Sequence, residues 1–428
     1  MNRQVRWLLG EIAAWEKEGV ITSDQARQLK TRYAVRQSGW DRLVFPAIGA
    51  IVIGLGVILF FAYNWAVMPK IAKLSIVFAG LLVTHGLGLY WQSRENFPQW
   101  VREGWHLLGT MLFGAGIWLI AQIYHIDEHY PNGYLLWGAG ALAMAWALPS
   151  AAQGLLAVAI LAVWSWSELI VFRHPMMAGW LLVLLALIPL AWWLRSRVLL
   201  FFSLLFFSLN YFSYVADFWD GGKNAIFIAF YLAMLYLALA RLVQSSQFPE
   251  SAPVFWWLGF PVYLLLLYSL SFSFGHRIIR HDGGVQSWQQ IYYLLPLLLA
   301  ALAWLWALVR ESRKKPDWMA WVGVGLVLTT FILVIAADRG YLSGWILLIF
   351  NLIFLGHCIL MIIQGIQIHS LRRVSAGCVL MAALLMHRFV DLFDSLLVRS
   401  MMFLLLGLIF LGIGILYAKF RPTETAHA

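Results

Sequence analysis

Residues 318–337 read WMAWVGVGLVLTTFILVIAA. No side chain in this run carries a charge, and at about 1.5 Å per helical residue it reaches roughly 30 Å, the thickness of a bilayer's hydrocarbon core. Arg310, Arg313, Lys314 and Lys315 stand on its N-terminal side, and Asp338 and Arg339 follow it. An uncharged run bounded by charge is the pattern of a membrane-spanning helix, and the rest of the chain repeats it. Of 428 residues, 62% are hydrophobic and only 12% are charged, so a soluble fold could not hide this apolar surface beneath a solvated shell.

Outward from 318–337, similar runs lie near 290–309, 253–270, 225–241, 198–216, 178–194, 151–169, 133–148, 104–124, 71–90 and 43–65, and on the other side near 344–364, 374–390 and 400–419. The expected fold is all-α: a polytopic transmembrane helical bundle of about fourteen spans, within a range of twelve to fifteen, over residues 43–419. In 43–65, Gly49, Gly54 and Gly56 would permit close helix approach in lipid. The 104–148 region is rich in glycine and 133–148 is short, so a re-entrant or tilted element also fits there. Residues 149–150 supply only a Pro-Ser turn between two proposed spans.

Charge gives the orientation. With the N-terminus in the cytoplasm, 21 of the 30 Lys and Arg residues fall on the cytoplasmic side, and both termini lie inside. Arg277 and Arg280 argue locally against this arrangement. The formal net charge of +10 then reflects contact with anionic lipid heads on the cytoplasmic face. Nucleic acid is not an expected partner, because no long basic tract is interleaved with aromatics. Trp65, Trp91, Trp105, Trp288 and Trp345 are among the tryptophans near span ends, as interface anchoring requires. Cys358 and Cys378 both fall inside proposed spans, which argues against a disulfide framework or thiolate cage. No metal or other cofactor is implied.

Residues 1–42 are different. Trp7, Leu8, Ile12 and Trp15 form an apolar helical stripe, Gly19 follows, and Thr22 through Gln25 reads as a capping box. Ala26, Leu29 and Tyr33 supply a second face. A short cytoplasmic helical hairpin is expected, too small to stand alone without the bilayer surface, the membrane body or another subunit. A short cytoplasmic tail, 420–428, closes the chain.

Three segments carry a resemblance. Trp15-Glu16-Lys17-Glu18-Gly19-Val20-Ile21 through Gln25-Ala26 and Leu29 is similar to the start of the bacterial membrane-protein family called domain of unknown function 2157. Gly54-Leu55-Gly56 through Tyr63-Asn64-Trp65 resembles its first span and following Asn-Trp pair, and His387-Arg388-Phe389 through Arg399-Ser400 resembles the end of such proteins. The resemblance implies one integral unit in a bacterial cytoplasmic, or inner, membrane. It carries no activity to any residue.

Polar residues at breaks between runs are the candidate sites. Gln122, Tyr124, His125 and Asp127 form the densest cluster, readable as an interfacial belt, as a ligand or ion vestibule, or as part of a metal site. His125 and His129 would share a face if the helix continued, but Ile126 stands where the metalloprotease pattern needs Glu. Asn64 is a local cap or a solute contact. Arg388, Asp391, Asp394 and Arg399 suit an ion-pair network fixing the last two helices, or recognition of an anionic ligand. His85, Asn210, Asn351, His357 and Gln364 are polar exceptions inside spans, and Asn351 and His357 would share one interior face only with helix curvature.

Phosphate-binding loops, dinucleotide fingerprints, nucleophile elbows and haem-attachment motifs are all missing. An enzyme assembled from distant spans stays open, without a motif for one. The leading expectation is a carrier or permease for a small solute or ion, its recess contacting at least two of the groups around Asn64, around Gln122, Tyr124 and His125, and around Asn351 and His357. The alternative is a membrane scaffold or sensor whose hairpin meets a cytoplasmic protein partner, and a homo-oligomer fits either.

Overall fold

The computed structural model describes residues 3–33, 52, 68–93, 99–126, 129–174, 177–218, 223–272, 290–311, 318–338, 346–392 and 396–419. Among the described residues the chain is all helix and turn. Two helices precede the apolar region, α1 (Arg3–Lys17) and α2 (Ser23–Tyr33). Then follow α3 (Lys70–Gln92), α4 (Gln99–Tyr124), α5 (Pro131–Ala147), α6 (Ala151–Ile170), α7 (Met177–Trp193), α8 (Arg197–Phe218) and α9 (Lys223–Leu242). The last six are α10 (Ala252–Leu270), α11 (Gln290–Glu311), α12 (Trp318–Asp338), α13 (Ile346–Gln367), α14 (Leu371–Leu392) and α15 (Leu396–Lys419).

Eight helices among the described residues are long and apolar enough to cross a membrane: α3, α4, α6, α8, α9, α10, α12 and α13. Within α7 and α11, the apolar stretches Met177–Trp193 and Leu294–Arg310 are shorter. The protein is thus a polytopic helical membrane bundle. The run 43–65 with Asn64, the residues Asp127 and Asp394, and the tail 420–428 lie outside the described residues, with Val52 alone described in 43–65.

Helix forms even where propensity opposes it. α12 contains Val322, Val324, Val327, Thr329, Thr330, Ile332 and Val334, all β-branched, but in hydrocarbon each backbone N–H must find its carbonyl within the segment, so helix prevails. Pro261 and Pro296 are tolerated inside α10 and α11 for the same reason. In α7, Val183–Leu187 winds as a π turn just before Pro189, relieving the clash of the proline ring with the preceding turn.

Helix ends follow their local chemistry. Thr22 N–H donates to Gln25 Oε1 at 3.0 Å and Gln25 N–H donates to Thr22 Oγ1 at 3.3 Å, the reciprocal cap that starts α2. Helices α4, α7 and α13 stop at a non-glycine residue in the left-handed region, His125 (φ 54), Arg195 (φ 49) and His369 (φ 51). In each, the next N–H returns five residues: Ile126 to Ala121 O at 3.0 Å, Ser196 to Ala191 O at 3.0 Å, and Ser370 to Gly365 O at 2.8 Å. Because α4 ends at Tyr124, His125 and His129 do not share a helical face. The 104–148 region forms two continuous helices, α4 and α5, and Ser150 Oγ accepts from Gln153 N–H to start α6 after the Pro-Ser break.

Two compact units divide the chain, residues 1–160 and 161–428. In the first, Ile12 and Ala26 are fully buried between α1 and α2, while α3 and α4 pack antiparallel. Methyl groups added at Gly80, Gly88 and Gly116 would meet Leu112, His106 and Val77, so each of these three glycines receives a side chain of the facing helix. Lipid supplies no hydrophobic drive between helices, and such close approach is what remains to hold them. Trp137 of α5 lies over Gly114 and donates through Nε1 to Thr110 O at 2.8 Å.

The second unit is built around α9, the most enclosed of the eight spans. Its Phe230 and Tyr231 pack with Tyr263 of α10 and Phe331 of α12, and Trp304 Nε1 of α11 donates to Met234 O at 3.0 Å. Gly377 of α14 sits against the backbone of Cys358 and Ile362 in α13. Large apolar side chains face outward, Leu82 75% exposed, Leu404 71% and Ile332 64%, a surface suited to acyl chains and costly in water.

Candidate functional site

A polar side chain inside a membrane helix needs a partner, and the partners locate the candidate sites. The most enclosed set joins α10, α12 and α13. Tyr263 Oη lies 3.0 Å from Thr330 Oγ1 and 3.2 Å from His357 Nε2. Tyr263 and Thr330 are fully buried and His357 is 4% exposed. His357 Nδ1 faces Ile353 O at 3.1 Å, and Thr330 Oγ1 lies 2.8 Å from Leu326 O. Phe260 stacks on the His357 ring, closing the site with an aromatic wall.

Asn351 and His357, six residues apart on α13, both reach the same neighbour. Asn351 Nδ2 donates to Ser271 O at 2.9 Å, just past the end of α10, while His357 meets Tyr263 within it. The antiparallel course of α10 and α13 accounts for this, since each helix advances as the other returns. Further along α10, Tyr268 Oη lies 3.3 Å from Nδ1 of His387 in α14, whose ring packs on Phe272 at 3.9 Å between centroids.

A second set lies in the same unit. Ser165 Oγ of α6 donates to Asn210 Oδ1 of α8 at 2.6 Å, close over Gly179 of α7. Glu168, one turn from Ser165, is a carboxylate only 1% exposed. Trp180 packs against Phe207, Tyr211 and Tyr214 beside them.

The first unit holds a pair of histidines. His85 Nδ1 of α3 lies 3.2 Å from His106 Nδ1 of α4, so one of these nitrogens carries a proton and the other receives it. Each ring rests on a glycine of the opposite helix, His85 on Gly109 and His106 on Gly88, in two antiparallel His-x-x-Gly segments. Among the described residues, no three His, Cys, Asp or Glu side chains gather as a metal site would require.

The remaining expected residues divide. Gln122, Tyr124 and His125 stand together and exposed at the end of α4, with Lys70 Nζ from the start of α3 at 5.6 Å from the Tyr124 ring centroid. Asn351 and His357 belong to the buried set of the second unit. Arg388 is half-buried on α14, and Asp391 and Arg399 are helical residues of α14 and α15. Tyr263, Thr330, His106 and Glu168 are among the polar residues that the sequence did not single out. Glu168 had a signal: a carboxylate inside the otherwise uncharged run 151–169.

Residues 13–154 match the family described as Predicted membrane protein (DUF2157). That stretch runs from the end of α1 to the first turn of α6 and includes the histidine pair. No curated protein and no solved structure matches the chain.

Proposed function

We propose that a chain carrying this family's pattern in its first third is a carrier or permease of a bacterial inner membrane, moving a small solute or ion. The observation behind the reading is the set Tyr263, Thr330 and His357, polar and hydrogen-bonded in the middle of three membrane-length helices. Polar and ionisable groups are costly at this depth, and where they occur they commonly line the path of a solute or proton. Asn351 extends the set along α13. Gln122, Tyr124 and His125, exposed at the end of α4, are a separate candidate contact for the solute in this reading.

The proposal retains about fourteen crossings, both termini in the cytoplasm, the helical pair 1–42 on the cytoplasmic face and anionic lipid against it. Purified full-length chain, reconstituted in liposomes, tests it by light scattering under gradients of potassium chloride, sodium chloride and glycerol. Flux above that of protein-free vesicles, reduced in His357→Ala, is expected. Fluxes equal to those of empty vesicles for every solute would remove the reading.

A further inference from the structure

We infer that His357, Tyr263 and Thr330 form a binding site for one proton within the bundle, an inference that rests on the permease reading and names the ion to which it couples. The argument is a count of donors. Ile353 O and Leu326 O can only accept, so His357 Nδ1 carries a hydrogen toward the first. With His357 neutral, Nε2 is a bare lone pair. Tyr263 then donates to Nε2, and Thr330 donates to Tyr263 Oη.

Add one proton at Nε2 and each bond reverses without moving a heavy atom. The Nε2–H donates to Tyr263 Oη, Tyr263 O–H turns to donate to Thr330 Oγ1, and Thr330 O–H turns to Leu326 O, 2.8 Å away. Both protonation states therefore leave the imidazole and the two hydroxyls partnered. A purely structural hydrogen-bond knot needs only one such arrangement.

The surroundings decide what the site does with the proton. Against it lie Tyr263 of α10 and, beyond Phe230, Tyr231 of α9; Cys358 is its neighbour in α13, and Tyr268 of α10 pairs with His387 of α14 farther along α10. α12 contributes Thr330. The Asp, Glu, Lys and Arg residues of these helices stand at their ends, as Asp338, Arg372, Arg373, Arg388 and Asp391 do. Among the described residues no carboxylate bonds His357, so a charged imidazole there is held by Tyr263 and Ile353 O, and the site passes a proton on rather than storing it. Tyr268 and Tyr263 both lie against α13, the former on Phe354 and the latter on His357.

The test is proton uptake by proteoliposomes of the full chain containing pyranine, driven by a potassium-valinomycin potential. Wild type is expected to take up protons faster than empty vesicles, with His357→Gln, which removes the accepting nitrogen, falling to the rate of empty vesicles and Tyr263→Phe slowing uptake by about tenfold, the effect of losing a hydrogen bond worth about 1.4 kcal/mol. Thr330→Val should slow it and Thr330→Ser restore it, which separates the relay from loss of folding. In ¹⁵N-histidine NMR, the His357 imidazolium signal should appear on acidification and shift in Tyr263→Phe. Wild-type uptake equal to that of empty vesicles, or an unchanged rate in His357→Gln, overturns the proton site. If salt or glycerol flux persists in that case, the permease reading stands; if every flux is absent, both fall.

Discussion

Gly109→Ala tests how α3 and α4 are held together. A methyl group there falls 2.6 Å from His85 Nε2 and 2.7 Å from Cε1. Ordinary contact lies at about 3.5–4.0 Å, so the imidazole has to retreat by roughly 1 Å. It is not free to do so, because its Nδ1 sits 3.2 Å from His106 Nδ1 and the His106 ring rests in turn on Gly88. Overpacking of this kind costs about 1–3 kcal/mol, while alanine in place of glycine returns about 0.5–1 kcal/mol of helix propensity. The expected net loss is about 1–2 kcal/mol. Gly86 is the control, with nothing within 4 Å of its added methyl, and Gly86→Ala should be neutral or stabilising. Reversible unfolding of the purified chain in mixed micelles measures both. In a His85→Ala background the penalty at Gly109 should disappear, giving a coupling of about 1 kcal/mol or more. Equal stability of Gly109→Ala and Gly86→Ala, or the same loss with and without the His85 ring, would refute the reciprocal packing.

Three further outcomes follow from named contacts. Trp137→Phe removes the bond to Thr110 O while keeping a ring over Gly114, and should cost about 1 kcal/mol in the same unfolding assay. His369→Gly relieves a left-handed residue at φ 51 and should stabilise the α13–α14 turn by about 1 kcal/mol, seen as a higher thermal midpoint. Thr22→Ala removes one half of the α2 cap and should cost that helix about 1 kcal/mol, read as faster amide exchange through residues 24–33.

The helices were legible because one physical rule dominates them. The uncharged run 318–337 became α12 from Trp318 to Asp338, and the break at residues 149–150 fell between α5 and α6 as its Pro-Ser pair requires. Local chemistry also revealed the Thr22–Gln25 cap. The interior polar contacts were hidden for the opposite reason. His357 meets Tyr263 across 94 positions of sequence, and Tyr263 meets Thr330 across 67, so no local spacing announces them. The π turn at Val183–Leu187 follows from how the chain accommodates Pro189, and a periodicity assuming uniform pitch passes over it. Asn351 and His357 looked out of register on one straight helix, and it was the antiparallel partner that brought both to α10.

The stops at His125, Arg195 and His369 carry a consequence for depth. Glycine would end those helices with less strain, yet it would leave nothing at the end to tell water from oil. An imidazole or guanidinium in the same place ties the point where winding ceases to the border it prefers, so sliding such a helix along the bilayer normal drags a polar head out of its layer. Winding and vertical position are thereby fixed by one side chain, and each terminus works as a float line.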